Sequence, residues 1–574
     1  MTVPSVSVRR TTAPLARRLW GQPLWAHVGA LALLLLIALP FMTPRGSFTS
    51  DEGAYALQEQ ALAEGTWEYE YRAADIDPEG RYFPLNQSQE LNGRYYPYVK
   101  HPAYPVLLRG ATAVFGPTFG LNVLGLLGVV GTAVAAWLLA GQLDPRLCRA
   151  AFWLAASGPV LVNGYILWAH APSAALAGLA LFGAVRLVKA LTTGHREGLA
   201  PCLAGVAGCL AAGVLLRAEG LLFAGALTLA LAVVVAGRVG LRPAALIAGA
   251  LAAPAVLAAV VEDRWVQAIV GGAHQSLAVR GETASFLAGR FRGAWHDLFQ
   301  AHIVRSPADV AVFVGMGLVV GFGYRALRRW GATSRRDLVV AASAAAVLYL
   351  VRLRLEPTGL ITGLFAAWPL VLLGLAVFPW RRAEPKAVTT FLGITGALFA
   401  VAVIATQYAE GGGAEWGGRF WSPLFVLLAV LATAGFDQRL RPAGAPDRRR
   451  VVTALAILGV TTAAVGLLSV GRLRMDQSRM VEAVARHPAP VTVSTFAGLP
   501  RMAWTTHERL SWLYADEGDL PGLLEALDRH GIREVSVVAS GRAEDFDPGP
   551  YRVAEVVDEP DLRRFGMDLY VLRS

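Results

Sequence analysis

Residues 46–59, GSFTSDEGAYALQE, place two adjacent carboxylates, Asp51 and Glu52, a few residues after a long apolar run ends. A carboxylate at that depth can take a proton from a hydroxyl or accept hydrogen bonds from a polyol. Membrane orientation does not require it, because acidic residues contribute little to topology. Other polar clusters recur where apolar runs hand over to one another. NGRYYPYVKHPAYP carries Arg94, Lys100 and His101 beside proline-fixed backbone, and GYILWAHAPSAAL turns with Trp168 and His170. GVLLRAEGLLF brings Arg217 and Glu219, and LVRLRLEPTGLITG brings Arg352, Arg354 and Glu356. ATQYAEGGGAEWGGRFWSPLF supplies Glu410, Glu415, Trp416 and Arg419.

Ionisable groups near the hydrocarbon edge are costly, so they face a cavity or pair with one another. Arginine forks match phosphate oxygens bidentately, and a lysine serves as a point charge. Cations and carboxylates together, beside lipid, suit a phosphate at the membrane surface with a sugar next to it. Each residue also has a plainer reading. Asp51 and Glu52 are then a solvated pair, the histidines are satisfied by backbone, and the arginines are interfacial anchors with snorkelling stems. A structural pair between Arg217 and Glu219 is disfavoured, since i,i+2 spacing puts them on different helix faces. Of the acidic pair, Glu52 is the better support and Asp51 the better base.

These clusters need helices to hold them. The chain has 574 residues, 55% of them hydrophobic and 16% charged, with a mean hydropathy of +0.46. Its apolar residues come in runs long enough to span a bilayer. The net charge of +10 resides in arginines between those runs, as the positive-inside rule predicts and unlike a nucleic-acid binder. About 13 spans are expected, near 23–42, 119–141, 147–166, 172–190, 199–216, 220–237, 243–261, 308–325, 337–351, 358–378, 387–406, 419–436 and 451–470. The alternation of basic loops puts the N-terminus in the cytoplasm and Asp51 outside. Cys148, Cys202 and Cys209 imply neither a disulfide framework nor a metal motif.

The segment at about 43–118 is a long aromatic outer loop, its tyrosines and tryptophan suited to a membrane interface. Within it DEGAYALQEQALAEG reads as a surface-lying helix. A second outer segment, about 262–307, contains Arg264, Trp265, His274, His296 and His302. Residues 1–470 thus form a membrane domain. Residues 471–574 read as a small soluble α/β domain with a partly parallel sheet, outside and without a catalytic part.

The order of SDEGAY after the first run, NGRYYPYVKHPAYPVLL, LLRAEGLL and EWGGRFWSPLF resembles the C-type (GT-C) superfamily of polytopic glycosyltransferases. These use polyprenyl-phosphate sugars, and they include mannosyl-, arabinosyl- and aminoarabinosyltransferases. The likeness spans about residues 20–440. It implies a polytopic α-helical GT-C fold, with Asp51 as catalytic base beside Glu52. It implies donor phosphate held among Lys100, His101, Arg217, Arg352, Arg354 and Arg419. His170, Glu219, Glu356, Glu415 and Trp416 would line the rest of the cavity. Many relatives carry a second acid where this chain reads LWAHAP at 167–172, with His170 at hand. Two convergent carboxylates are what a divalent ion wants, so a metal is unsupported and no cofactor is expected. The partners implied are a polyprenyl-phosphate-linked sugar, a glycan, lipid or protein acceptor, and membrane lipids. A flippase of lipid-linked sugars and a non-catalytic membrane scaffold are the alternatives.

Overall fold

The computed structural model describes residues 22–43, 47–85, 89–91, 94–97, 101–194, 198–270, 286–300, scattered positions within 314–325, 332–380, 385–406, 415–442, 444–540 and 547–574. Among these, ten helices are long and apolar enough to cross a membrane, the first Leu24–Met42 and the last Pro446–Arg486. The expected span at 308–325 falls largely outside the described residues.

Two expected spans are broken. The run at 147–166 forms Cys148–Ala156 and Pro159–Asn163, and the run at 358–378 forms Leu364–Ala367 and Pro369–Ala376. In each, a proline opens the second helix. Its ring pushes the preceding residue, Gly158 or Trp368, out of helical conformation. Apolar composition alone does not reveal such a break.

Close backbone contact fixes the helices around the site. A β-carbon on Gly128 would lie 2.4 Å from the Ala171 carbonyl carbon. Only glycine therefore lets Pro117–Leu143 meet the start of His170–Thr193. The first long loop supplies the helix Ser50–Ala63, the antiparallel pair β1 (Gln89–Leu91) and β2 (Arg94–Tyr96), and the helix Ala103–Phe115.

The last membrane helix does not stop near 470. Ala445–Arg486 runs 42 residues unbroken, past the expected domain boundary at 470 and into the soluble domain. Beyond it lie β3 (Val491–Ser494), β4 (Ser511–Tyr514), β5 (Glu534–Ser540), β6 (Arg552–Val557) and β7 (Met567–Arg573). Their order is β4-β3-β5-β7-β6, with β3 parallel to both neighbours and the remaining pairs antiparallel.

This domain packs on the first long loop. Tyr71, Tyr82 and Tyr95 share one apolar cluster with Leu513, Leu523 and Leu572. The Tyr514 amide donates to the Tyr82 carbonyl at 2.8 Å, and Arg81 pairs with Asp519 at 2.5 Å.

Candidate active site

Asp51 stands in the first turn of Ser50–Ala63, its side chain 26% exposed. Thr49 caps this helix in a capping box: its hydroxyl accepts from the Glu52 amide while Glu52 reaches back to the Thr49 amide. The box satisfies two orphan N–H groups and starts the helix one residue before Asp51. Thr-x-x-Glu was the sequence signal for that start.

Glu52 points the other way, into the protein. Its Oε2 accepts from the amides of Phe48 and Thr49, and its Oε1 from the Leu167 amide, at 2.8 Å, and from Arg474. Burial pushes its carboxyl up from the ordinary range, opposed by Arg474 and these amides. With both oxygens engaged, Glu52 anchors three segments and leaves no lone pair facing a reactant.

Two arginines flank Asp51. Arg419 Nη1 lies 3.6 Å from Oδ2, and Arg501 Nη1 lies 3.8 Å from Oδ1. Arg419 is delivered by a turn that only its sequence permits, since Gly417 and Gly418 both have positive φ, 73° and 64°. The turn lets Glu415, fully buried, accept from the Arg419 amide at 3.2 Å and meet its Nε at 3.4 Å. Arg419 lies over the Trp168 ring, 4.6 Å from its centroid. Trp168 in turn neighbours Phe48 and His170. The clusters at 46–59, 163–175 and 410–425 therefore converge. Trp416 is instead a packing residue, buried where a β-carbon on Gly466 would strike its ring.

His170 is buried, and neither ring nitrogen has a hydrogen-bond partner among the described residues. His101, held at φ 51°, has Nδ1 2.6 Å from Glu262. Arg217 and Glu219 do pair, Nε to Oε2 at 3.0 Å and Nη2 to Oε1 at 2.7 Å. The helix-face argument against this pair fails because Arg217 is not helical. It caps Leu199–Leu216 in extended conformation, and Glu219 opens the next helix.

Arg352 is buried and donates to the carbonyls of Gly359, at 3.3 Å, and Leu360, at 3.1 Å, while pairing with Glu356 at 3.3 Å. It thereby ties the end of its helix to the 359–363 segment. The Ile361 and Thr362 carbonyls of that segment accept from Gly417 and Gly418. Arg354 is exposed. None of Arg352, Arg354 and Glu356 is in described contact with Asp51. Lys100, His274, His302 and Glu410 lie outside the described residues.

Sequence reasoning missed Arg474, Arg501, Glu262 and Asp297. Arg474, buried, donates to the carbonyls of Met42 and Tyr165 as well as to Glu52. Its signal was a basic residue just after the last expected span, at the end that the basic-loop alternation assigns to the outside. Arg501 had none: LPRMAW reads as domain surface. Among the described residues, His296, Asp297 and Glu415 bring one donor atom each within 4.8 Å of one another, the spacing a metal ion would need. Asp51 is not in that group.

The chain is similar in structure to ArnT from Cupriavidus metallidurans bound to undecaprenyl phosphate. The TM-score is 0.52 at 12% identity, over 95% of this chain and 97% of that one. It is also similar to the archaeal oligosaccharyltransferase AglB from Archaeoglobus fulgidus in complex with an inhibitory peptide and a dolichol-phosphate. That TM-score is 0.46 at 15% identity, over 89% and 69% of the two chains. No protein-family model and no curated protein matches the chain. At these identities the likeness is one of fold. The chain thus shares its fold with ArnT, as a multi-pass membrane protein with a small C-terminal sheet domain.

Proposed function

We propose that the protein is an inverting glycosyltransferase moving a sugar from a polyprenyl-phosphate donor to a hydroxyl acceptor outside the cytoplasmic membrane. The observation that carries this reading is Asp51, part-exposed at a helix start and flanked by Arg419 and Arg501 beyond hydrogen-bonding distance. A carboxylate serving only to neutralise arginine would sit at about 2.7–2.9 Å, bidentate. Here its lone pairs remain available to a hydroxyl.

In the reaction, the acceptor hydroxyl gives its proton to Asp51 as its oxygen attacks the anomeric carbon. The bond from that carbon to the phosphate oxygen breaks, and its electron pair leaves with the polyprenyl phosphate. Arg419, oriented by Glu415 and the Trp168 face, stabilises the charge developing on the leaving group. Displacement in line inverts the anomeric centre and needs no enzyme nucleophile. Lys100 and His101 belong to the same loop and are assigned to the phosphate side. Arg217, Arg352 and Arg354 are not assigned there, the first two because their guanidiniums hold Glu219 and the 359–360 carbonyls.

The test is to incubate purified protein with radiolabelled polyprenyl-phosphate mannose or arabinose and membrane extract. Label leaving the lipid for an acceptor supports transfer. Label crossing a vesicle unchanged would make the protein a flippase instead.

A further inference from the structure

The expectation that residues 471–574 take no part in the chemistry does not fit the position of Arg501. We propose that Arg501, carried by the soluble C-terminal domain, is a phosphate-binding residue of the transfer site, so that this domain completes the site. The inference rests on the glycosyl-transfer reading and adds to it a ligand for the lipid-borne phosphate.

Arg501 lies in the short helix Leu499–Met502, and its side chain is 3% exposed. Its backbone is pressed against the Asp51 helix at Gly53. A β-carbon there would lie 1.7 Å from the Arg501 carbonyl oxygen and 2.6 Å from its carbon. No side chain larger than hydrogen is compatible with that approach, so the glycine two residues after Asp51 sets where the guanidinium begins. The segment is tied again at His507, which bonds the Pro500 carbonyl at 2.7 Å and the Tyr69 hydroxyl of the first loop.

Its guanidinium and that of Arg419 approach opposite oxygens of one carboxylate, at 3.8 and 3.6 Å. Both forks face this one carboxylate, so an anion bound beside Asp51 would meet two cations. A phosphate, with several oxygens and a negative charge, fits two convergent forks better than one. Holding both in place beforehand lowers the ordering cost when the donor binds. Arg419 comes from the membrane domain and Arg501 from the soluble one, so the phosphate would be gripped across the junction.

The experiment titrates undecaprenyl phosphate against full-length protein in nanodiscs, comparing the parent with Arg501→Gln, Arg501→Lys, Gly53→Ala and Arg419→Gln. Arg501→Gln should raise the dissociation constant roughly tenfold or more, as expected for losing one charge-assisted contact. Arg501→Lys should restore part of the affinity. Gly53→Ala should weaken binding with Arg501 still present, because the added methyl displaces its backbone. Inorganic phosphate at millimolar concentration should not displace the lipid. Displacement at equal affinity would overturn the assignment to a lipid-borne phosphate. Parental affinity in Arg501→Gln would overturn the inference; if that variant does not fold, parental affinity in folded Arg501→Lys and Gly53→Ala would do so. Weakening by Arg419→Gln alone removes Arg501 and leaves the transfer reading intact. No weakening by either removes the phosphate site on which both rest.

Discussion

Glu52 and Arg474 form an ion pair between the first long loop and the last membrane helix, their side chains 1% and 6% exposed. Through it Arg474 also reaches the carbonyls of Met42 and Tyr165. One buried charge pair thus joins the end of the first span, the 165–167 turn and the helix that leads into the soluble domain. It sets the floor on which Asp51 stands.

Breaking such a pair leaves an uncompensated buried charge, at about 3–5 kcal/mol. Arg474→Met should therefore lower the melting temperature of purified protein sharply, and Arg474→Met with Glu52→Gln should recover part of the loss. A single variant melting like the parent would show that the pair does not hold the loop.

Arg217 offers a contrast. Arg217→Gln should destabilise the protein by leaving Glu219 buried and unpaired, while the double variant Arg217→Gln, Glu219→Gln regains stability and keeps donor affinity. If the double variant is stable yet loses affinity for undecaprenyl phosphate, Arg217 belongs to the phosphate site after all.

Much of this architecture was legible in the sequence. The apolar runs and arginine-rich turns located most of the membrane helices, and the change of composition after about 470 located the small sheet domain. Asp51, Trp168, His170 and Arg419 were singled out because polar residues at span ends are costly, and the fold brings their segments together. What remained hidden depends on contacts distant in the chain. The helix-face rule misjudged Arg217 and Glu219 because it cannot see a break between helices. Arg352 looked like a phosphate ligand because its carbonyl partners seven and eight residues on have no side-chain signature. Arg501 reaches Asp51 only because the soluble domain folds back onto Gly53, and no local pattern announces that.

The junction should be acid-sensitive. Burial, aided by Arg72 and opposed by the Pro500 carbonyl, lowers the His507 pKa to about 4. Nε2–H donates to Pro500 and Nδ1 faces the Tyr69 hydroxyl, so the neutral ring satisfies both. Between the unfolded value of about 6.5 and the folded one, the unfolded chain binds a proton that the folded chain does not. Stability is then fully present above about pH 6.5 and falls by up to about 3 kcal/mol toward pH 4. His507→Gln should flatten the melting temperature across that window. An unchanged slope would place the acid sensitivity elsewhere.

The turn that carries Arg419 is equally testable. At Gly418 an alanine combines positive φ with a β-carbon 2.6 Å from the Asp297 carbonyl oxygen. Gly418→Ala should therefore displace Arg419 and lower transfer, with little loss of the apolar core. Full transfer in that variant would mean that the turn tolerates the change and that Arg419 is not held by it.

The central claim is that Asp51 is the base that deprotonates the acceptor. The most direct measurement is single-turnover transfer of label from a polyprenyl-phosphate sugar by Asp51→Asn, beside the parent at matched occupancy of donor. The exchange is nearly isosteric and removes the proton acceptor. The account predicts a rate lower by about 10²–10⁴-fold, with melting temperature and undecaprenyl phosphate affinity close to the parent's. A variant that transfers at near-parental rate would contradict it and return Asp51 to a solvated residue at the end of a span.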